Sequence, residues 1–369
     1  MKLRTILKNT LWLLPGLLAL GLYLFLPAYR EVAEWVCARG AFRVVNTVLS
    51  VVTGLLPFSL TELSVVLALP AVILLIVLLA VRLRRSVHKG CLLARVGRGL
   101  GWTLSCAALL YMFTHGCNFY RYSTAELMDL DTSTCTPEYL QAVVIDLAQK
   151  ASAAREEVEE NAQGQMVLTE SLQKTLTQAD DGYRVLVEDY PFLWGASYRV
   201  KPVQLSHWWS YTGISGMYFP LFGESNVNID QPDCDIPLTA AHEIAHSRGF
   251  AREDECNFYA YLSCTVNESP DYRYSGYLHA YVYCANALYA YDVDMWRQAR
   301  TFLSEDAARD LAQRSSYWKQ FEGEVKEVST SVNNSFITSQ GDADGVFSYD
   351  RVVQLIVGYY RQQGWCAEQ

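Results

Sequence analysis

Two histidines and a glutamate in the run Ala240-Ala241-His242-Glu243-Ile244-Ala245-His246 have the spacing of an HExxH motif. On a helix, residues four apart share a face, so His242 and His246 can turn both imidazoles toward one ion, with Glu243 beside it to hold a water. Imidazole nitrogens suit Zn2+, and a catalytic zinc site keeps one position for water. The chain continues Ser247-Arg248-Gly249-Phe250-Ala251-Arg252-Glu253-Asp254-Glu255-Cys256-Asn257. Gly249 can take the left-handed conformation that ends a helix and turns the backbone toward the ion, which brings a third ligand within a few residues.

In the HExxHxxGxxH pattern of metzincins that third ligand falls at Arg252, and a guanidinium cannot coordinate a cation, so that chemistry in its strict sense is excluded. The carboxylates left are Glu253, Asp254 and Glu255. Glu253 has Asn257 one helical turn on, which resembles the ExxxD arrangement of Glu-ligand zinc peptidases. That resemblance implies Glu253 as metal ligand and Asn257 as the residue holding a ligand imidazole by its other ring nitrogen. Glu255 is the alternative ligand, and a solvated acidic helix face is the plain alternative for both. Cys256 reads as a small buried hydrophobe, with a thiolate on the metal as its other reading.

Other candidates are more diffuse. Ser215, Gly216, Met217 and Tyr218 open a stretch that could supply an edge strand for an extended substrate, with Glu224 and Asn226 as possible polar contacts; an ordinary hairpin is the rival reading. Downstream, the Tyr-dense run around Arg273 and Tyr277 offers Tyr274 and His279 as groups to stabilise the oxyanion of an acyl-transfer intermediate. Most tyrosines there are expected in the core. His115 is expected to be interfacial.

These residues need elements to carry them, and charge divides the 369-residue chain into two bodies. Residues 1–120 hold 12 Lys/Arg against 3 Asp/Glu, whereas residues 121–369 hold 18 against 36. An acidic C-terminal body argues against nucleic acid as a partner. Three uncharged stretches, Asn9–Tyr29, Leu63–Val81 and Gly99–Tyr120, are long enough to cross a bilayer. Asn9–Tyr29 lacks a small-residue cleavage site and reads as an uncleaved helix rather than a signal peptide. Asn46, Thr47, Ser50 and Thr53 interrupt a fourth stretch, so Val44–Pro57 is read as interfacial or re-entrant. With three spans, the N-terminus and the Arg82–Arg98 loop are cytoplasmic, in keeping with the positive-inside bias, and the C-terminal domain is extracytoplasmic.

In the outer body, Pro137 at a first turn with Leu140, Val143, Val144 and Leu147 predicts an amphipathic helix over 136–161. A second helix is expected over Leu168–Tyr183, strands and a hairpin over Arg199–Asn228, and helices after Pro237. Eight of ten cysteines fall on the expected outer side, which permits disulfides without assigning any; Cys256 and Cys264 are about 12 Å apart along one helix and should not pair.

The segments GLLPFSLTE (Gly54–Glu62), SGMYFPLFGESNVN (Ser215–Asn228), HEIAHSRGFAREDECNFYAYL (His242–Leu262) and RYSGY (Arg273–Tyr277) resemble the bacterial membrane proteins of domain of unknown function 3810. Cys256 departs from the small alanine expected at that point. The resemblance implies a zincin-like fold and no substrate. The expectation is a mainly α protein with a small β element: a three-span region over 1–120 and a zincin-like α+β domain over 121–369. It would be a multi-pass cell-membrane zinc metallopeptidase acting on peptide or cell-envelope amide bonds outside the cytoplasmic membrane. The rival is a membrane-anchored metal-binding sensor without catalysis. An intramembrane protease is disfavoured by the charges Arg248 to Glu255.

Overall fold

The computed structural model describes residues 10–196, 198–340 and 349–365. Lys2, Arg4, Lys8 and Cys366 lie outside them. Among the described residues, three helical stretches are long and apolar enough to cross a membrane: Leu11–Ala28, Arg30–Gly54 and Leu60–Arg85. The first contains α1 (Leu14–Phe25), the second ends in α2 (Arg43–Gly54) and the third is α3 (Leu60–Arg85), followed by α4 (Lys89–Thr114). Leu, Val and Ile side chains lie exposed on every side of α3, as lipid contact requires.

Two expectations for this region change. Gly99–Tyr120 belongs to α4, which starts ten residues earlier, ends at Thr114 and gives way to a 3-10 turn at Gly116–Tyr120. Lys89, Arg95 and Arg98 occupy its first half, so it is not one of the three stretches; it packs along α1. Val44–Pro57 is not a separate element either. It is mostly the second half of a continuous helical run from Arg30, which includes a π-helical segment at Ala33–Phe42. The polar residues that interrupt it meet protein: Asn46 Nδ2 donates to Ser247 O (2.7 Å) and Ser50 Oγ to Gly223 O (2.7 Å). Val44, Val48, Val51, Val52 and Leu55 on its other face stay exposed.

Beyond Tyr120 the chain is mainly helical. Leu140, Val143, Val144 and Leu147 are all buried in α5 (Pro137–Arg155), as their spacing predicts, but the helix stops before the acidic run. The second expected helix is split into Leu172–Gln178 and Asp181–Asp189. At the break, Asp180 is drawn into a buried pair with Arg248 (2.6 Å). A three-stranded sheet follows, β1 (Val200–Val203), β2 (Gly216–Phe219) and β3 (Glu224–Asn228), in the order β1-β3-β2. β1 runs parallel to β3 and β2 antiparallel to it, which leaves β2 as an edge.

Against the sheet lies α6 (Ile236–Ser247), with Pro237 in its first turn. Leu238, Ala240, Ala241, Ile244 and Ala245 make it apolar nearly all round, so it sits centrally, packed on β3 and between α7 (Glu253–Thr265) and α8 (Pro270–Tyr291). The remaining helices used below are α9 (Glu305–Lys319), α10 (Glu324–Ser339) and α11 (Tyr349–Gln362).

The GLLPFSLTE segment and the sheet form one buried joint. Lys201 Nζ donates to Thr53 O (2.8 Å), Phe58 O (2.9 Å) and Glu224 Oε1 (2.5 Å). Glu224 Oε2 accepts from Thr61 N and Thr61 Oγ1, and Ser59 Oγ donates to Asn226 Oδ1 (2.6 Å). Glu224 and Asn226 are therefore not substrate contacts: their side chains are consumed in fixing the start of α3 to the sheet.

Candidate functional site

The site begins where α6 ends. Gly249 adopts φ +92°, and a Cβ there would stand 3.0 Å from the Phe42 ring, so conformation and space both ask for glycine. The carbonyls at this helix end are capped from the N-terminal region, Ser247 O by Asn46 and Gly249 O by Arg121 Nη1 (2.8 Å). The reversed chain then enters α7, whose first residue is Glu253.

That turn brings Glu253 onto the two imidazoles. Its Oε2 lies 3.1 Å from His242 Nε2, and its Oε1 lies 3.8 Å from His246 Nε2. The opposite ring nitrogens are held by acceptors: His242 Nδ1 by Asn257 Oδ1 (2.9 Å) and His246 Nδ1 by Phe250 O (2.8 Å). An oxygen that only accepts fixes a proton on Nδ1, so Nε2 is the atom that each ring turns toward Glu253 and, once unprotonated, could offer to a cation. Tyr283 Oη adds a second hydrogen bond to Asn257 Oδ1 (3.2 Å).

His242, His246 and Cys256 also offer ligand atoms within 4.8 Å of one another. The thiol, however, is 3.3 Å from His246 Nδ1 and 3.4 Å from Phe250 O, behind the ring and away from the paired Nε2 atoms. Glu255 is turned elsewhere, its Oε1 accepting from Thr124 N (2.8 Å). Of the candidate third ligands, Glu253 alone faces both Nε2 atoms.

The electrostatics follow from burial and this pairing. Burial works against charge on His242, but the Glu253 carboxylate outweighs it and holds the imidazole up at about 9. Burial opposes the Glu253 charge as well, and the two histidines hold that carboxyl down at about 2. Burial pushes His246 down to about 4. Glu243 is pushed up to about 8 by burial, and its Oε2 has no hydrogen-bond partner among the described residues. Lying beside Glu243 is the edge strand: the Tyr218 main chain donates to its carboxyl, and Gly216 leaves the room for that approach.

A cleft of about 1090 Å³ opens over these groups, lined by β2, the exposed side of α6, His115, and residues of α9 and α10. Ser215, Gly216, Met217 and Tyr218 all line it, the last three on β2, which pairs with β3 as a hairpin. His279 lines it too, but both ring nitrogens are engaged, Nδ1 with Ser275 O (2.9 Å) and Nε2 with Asp235 Oδ1 (3.0 Å). It orients Asp235 and has no free nitrogen for an oxyanion. Tyr274 is not part of the cleft: it is fully buried, with its hydroxyl on Asp310 Oδ2 (2.6 Å), in a pair with Arg155.

The cleft also contains residues that sequence spacing does not reveal. His115 is no merely interfacial residue: it comes from the end of α4, its ring centroid is 5.8 Å from that of His246, and its Nδ1 has no partner among the described residues. Arg314, Trp318 and Lys326 come from α9 and α10.

A mainly helical chain with a small sheet and N-terminal membrane-type helices is the class that these observations define. Residues 38–357 match the family model described as protein of unknown function (DUF3810), and the chain belongs to that family. No curated protein and no solved structure matches it.

Proposed function

We propose that this protein is a membrane-attached, zinc-dependent hydrolase of peptide or peptide-like amide bonds, with a zincin-like domain at the outer face of the cytoplasmic membrane. The observation that carries this reading is the convergence of His242 Nε2, His246 Nε2 and Glu253 beside a buried Glu243 with an unpartnered oxygen. Two imidazoles and a carboxylate are a donor set that zinc takes, and the acceptors on both Nδ1 atoms orient the rings for it. Bound there, zinc would polarise the scissile carbonyl and lower the pKa of a water toward about 7.

The chain's own residues supply the rest. Glu243 would accept the proton of the attacking water at Oε2 and return it to the leaving amine. Burial favours the protonated form of this carboxyl, and two positive charges nearby would favour its release as a base. β2 would hold an extended substrate through main-chain groups of its outer edge besides the Tyr218 N–H that Glu243 engages.

Supporting the orientation, Thr61 at the start of α3 and His115 at the end of α4 both touch the domain, so the Arg82–Arg98 segment around the α3–α4 turn lies at the far ends of these two helices. Six cations in that segment suit the cytoplasmic side.

The test uses the full chain in detergent or nanodiscs. Zinc content should fall sharply in His246→Ala and persist in Glu243→Gln, while cleavage of a broad peptide library disappears in both. Equal zinc in wild type and His246→Ala would remove the assignment; bound zinc with no cleavage by wild type would leave the binding-module reading.

A further inference from the structure

The cleft reaches well past the imidazoles, and its far end is built around a cation. Arg314 donates from Nε to Asp235 Oδ1 (2.7 Å), and no other hydrogen bond engages its guanidinium among the described residues. Asp235 is saturated from behind, by His279 at Oδ1 (3.0 Å) and Trp318 Nε1 at Oδ2 (3.3 Å). The carboxylate is buried, with 3% of its side chain exposed, whereas 31% of the Arg314 side chain is open. The acid is thus a brace, and the free Nη edge of the guanidinium is presented to the cleft. Lys326 of α10 lines the same space; its stem lies along Gly213, and no acidic partner meets its ammonium among the described residues. A braced guanidinium and an ammonium lining one cleft can together receive an anion, with the fork geometry suited to a carboxylate.

Placement fixes where on a substrate that carboxylate would be. Asp235 and His242 are seven residues apart on one helical path, about 10 Å at 1.5 Å per residue. An extended peptide covers that distance in about three residues. Direction follows from β2. Gly216 is beside Thr239 and Glu243, whereas the Tyr218 ring stacks near His246, so β2 and α6 advance the same way. A peptide added antiparallel, the commoner and slightly stronger pairing, points its C-terminal side toward Gly213, Lys326 and Arg314.

We propose that Arg314 and Lys326 form an anion subsite that selects peptides carrying a carboxylate about three residues to the C-terminal side of the scissile amide. This rests on the reading of His242, His246 and Glu253 as the hydrolytic centre. The carboxylate comes either from the chain terminus or from an acidic side chain, and the test separates the two.

Three probes, each with an N-terminal hydroxamate followed by three residues, are titrated calorimetrically against the zinc-loaded full-length protein. One ends in a free carboxylate, one in a carboxamide, and one in a carboxamide with Asp as its third residue. At least one carboxylate probe should bind about 10-fold or more tightly than the neutral one, and which of them does identifies the source. Arg314→Lys, which keeps a charge beside Asp235, and Lys326→Gln, which touches nothing in the Asp235 cluster, should each narrow that gap without weakening the neutral probe. Equal affinities in wild type, or a gap unchanged in both variants, would overturn the proposal. The same tripeptides without hydroxamate are titrated against metal-stripped protein, with Trp318 fluorescence as readout and Trp318→Phe as control. Discrimination that persists there while hydroxamates add nothing would sink the zinc reading and leave the anion subsite standing; its absence in both formats sinks the subsite.

Discussion

Gly216 lies so close to Glu243 that a Cβ on it would stand 2.5 Å from Oε1 and 2.7 Å from Thr239 Cγ2. The edge strand and the proposed base are therefore mutually fitted, and a methyl group has no space between them. Gly216→Ala should push β2 outward or turn Glu243 off its position. The expected result is a fall in peptide hydrolysis of 10-fold or more with zinc content unchanged, plus a stability loss of about 1 to 3 kcal/mol for overpacking. Denaturant unfolding and zinc analysis of the same samples check it; normal turnover would show that the contact is of no consequence.

The two neighbours of the imidazoles should behave differently. Asn257 holds His242 through Nδ1, so Asn257→Ala should weaken zinc affinity about 10- to 100-fold, and Asn257→Asp, which keeps an acceptor, should restore most of it. Cys256 sits behind His246, so Cys256→Ala should leave affinity within about 3-fold, well short of the loss of a ligand. Competition with a zinc-binding dye measures both. A large loss in Cys256→Ala would place sulfur on the metal after all.

The buried Lys201–Glu224 pair ties the sheet to the start of α3. Removing one partner strands the other charge, so Lys201→Met should cost about 3 to 5 kcal/mol at neutral pH. Burial alone would raise the Glu224 carboxyl, but Lys201 and the Thr61 donors lower it below its ordinary value. A carboxylate lowered on folding contributes stability that is fully present above its unfolded pKa, near 4.3, and lost as pH falls through the folded value. In Lys201→Met the buried acid takes up its proton above its ordinary value and regains stability there, so the difference from wild type should narrow as pH falls toward about 4.3 and narrow further below it. Melting curves of both proteins from pH 7 to pH 3.5 would show this, and a constant difference would argue against it.

How far the sequence carries depends on whether a contact is local. HExxH, the Gly249 turn, Glu253 and Asn257 lie within sixteen residues, and helical spacing alone brings their faces together. The choice among tyrosines of α8 is different: Tyr283 reaches Asn257 while Tyr274 points to Asp310, because packing against α5 and α7 sets the rotation of that helix. Arg314 and His115 enter the cleft from distant elements and carry no spacing signal. The polar residues of α2 suggest a break in a membrane helix because their partners, Ser247 and Gly223, are invisible from composition.

Those partners bear on whether the C-terminal body stands alone. Asn46 and Arg121 cap the end of the helix that carries both histidines, and Lys201 finds two of its three acceptors at Thr53 and Phe58. A chain starting at Tyr122 would lose all of these and leave Lys201 and Glu224 without most of their buried hydrogen bonds. Such a fragment should give no cooperative thermal transition and bind zinc at least about 10-fold more weakly than the full protein, as for a lost supporting residue. Scanning calorimetry and zinc competition on the two chains decide it. A fragment that melts sharply and holds zinc as tightly as the full chain would show that the membrane region is an anchor and not a structural part of the site.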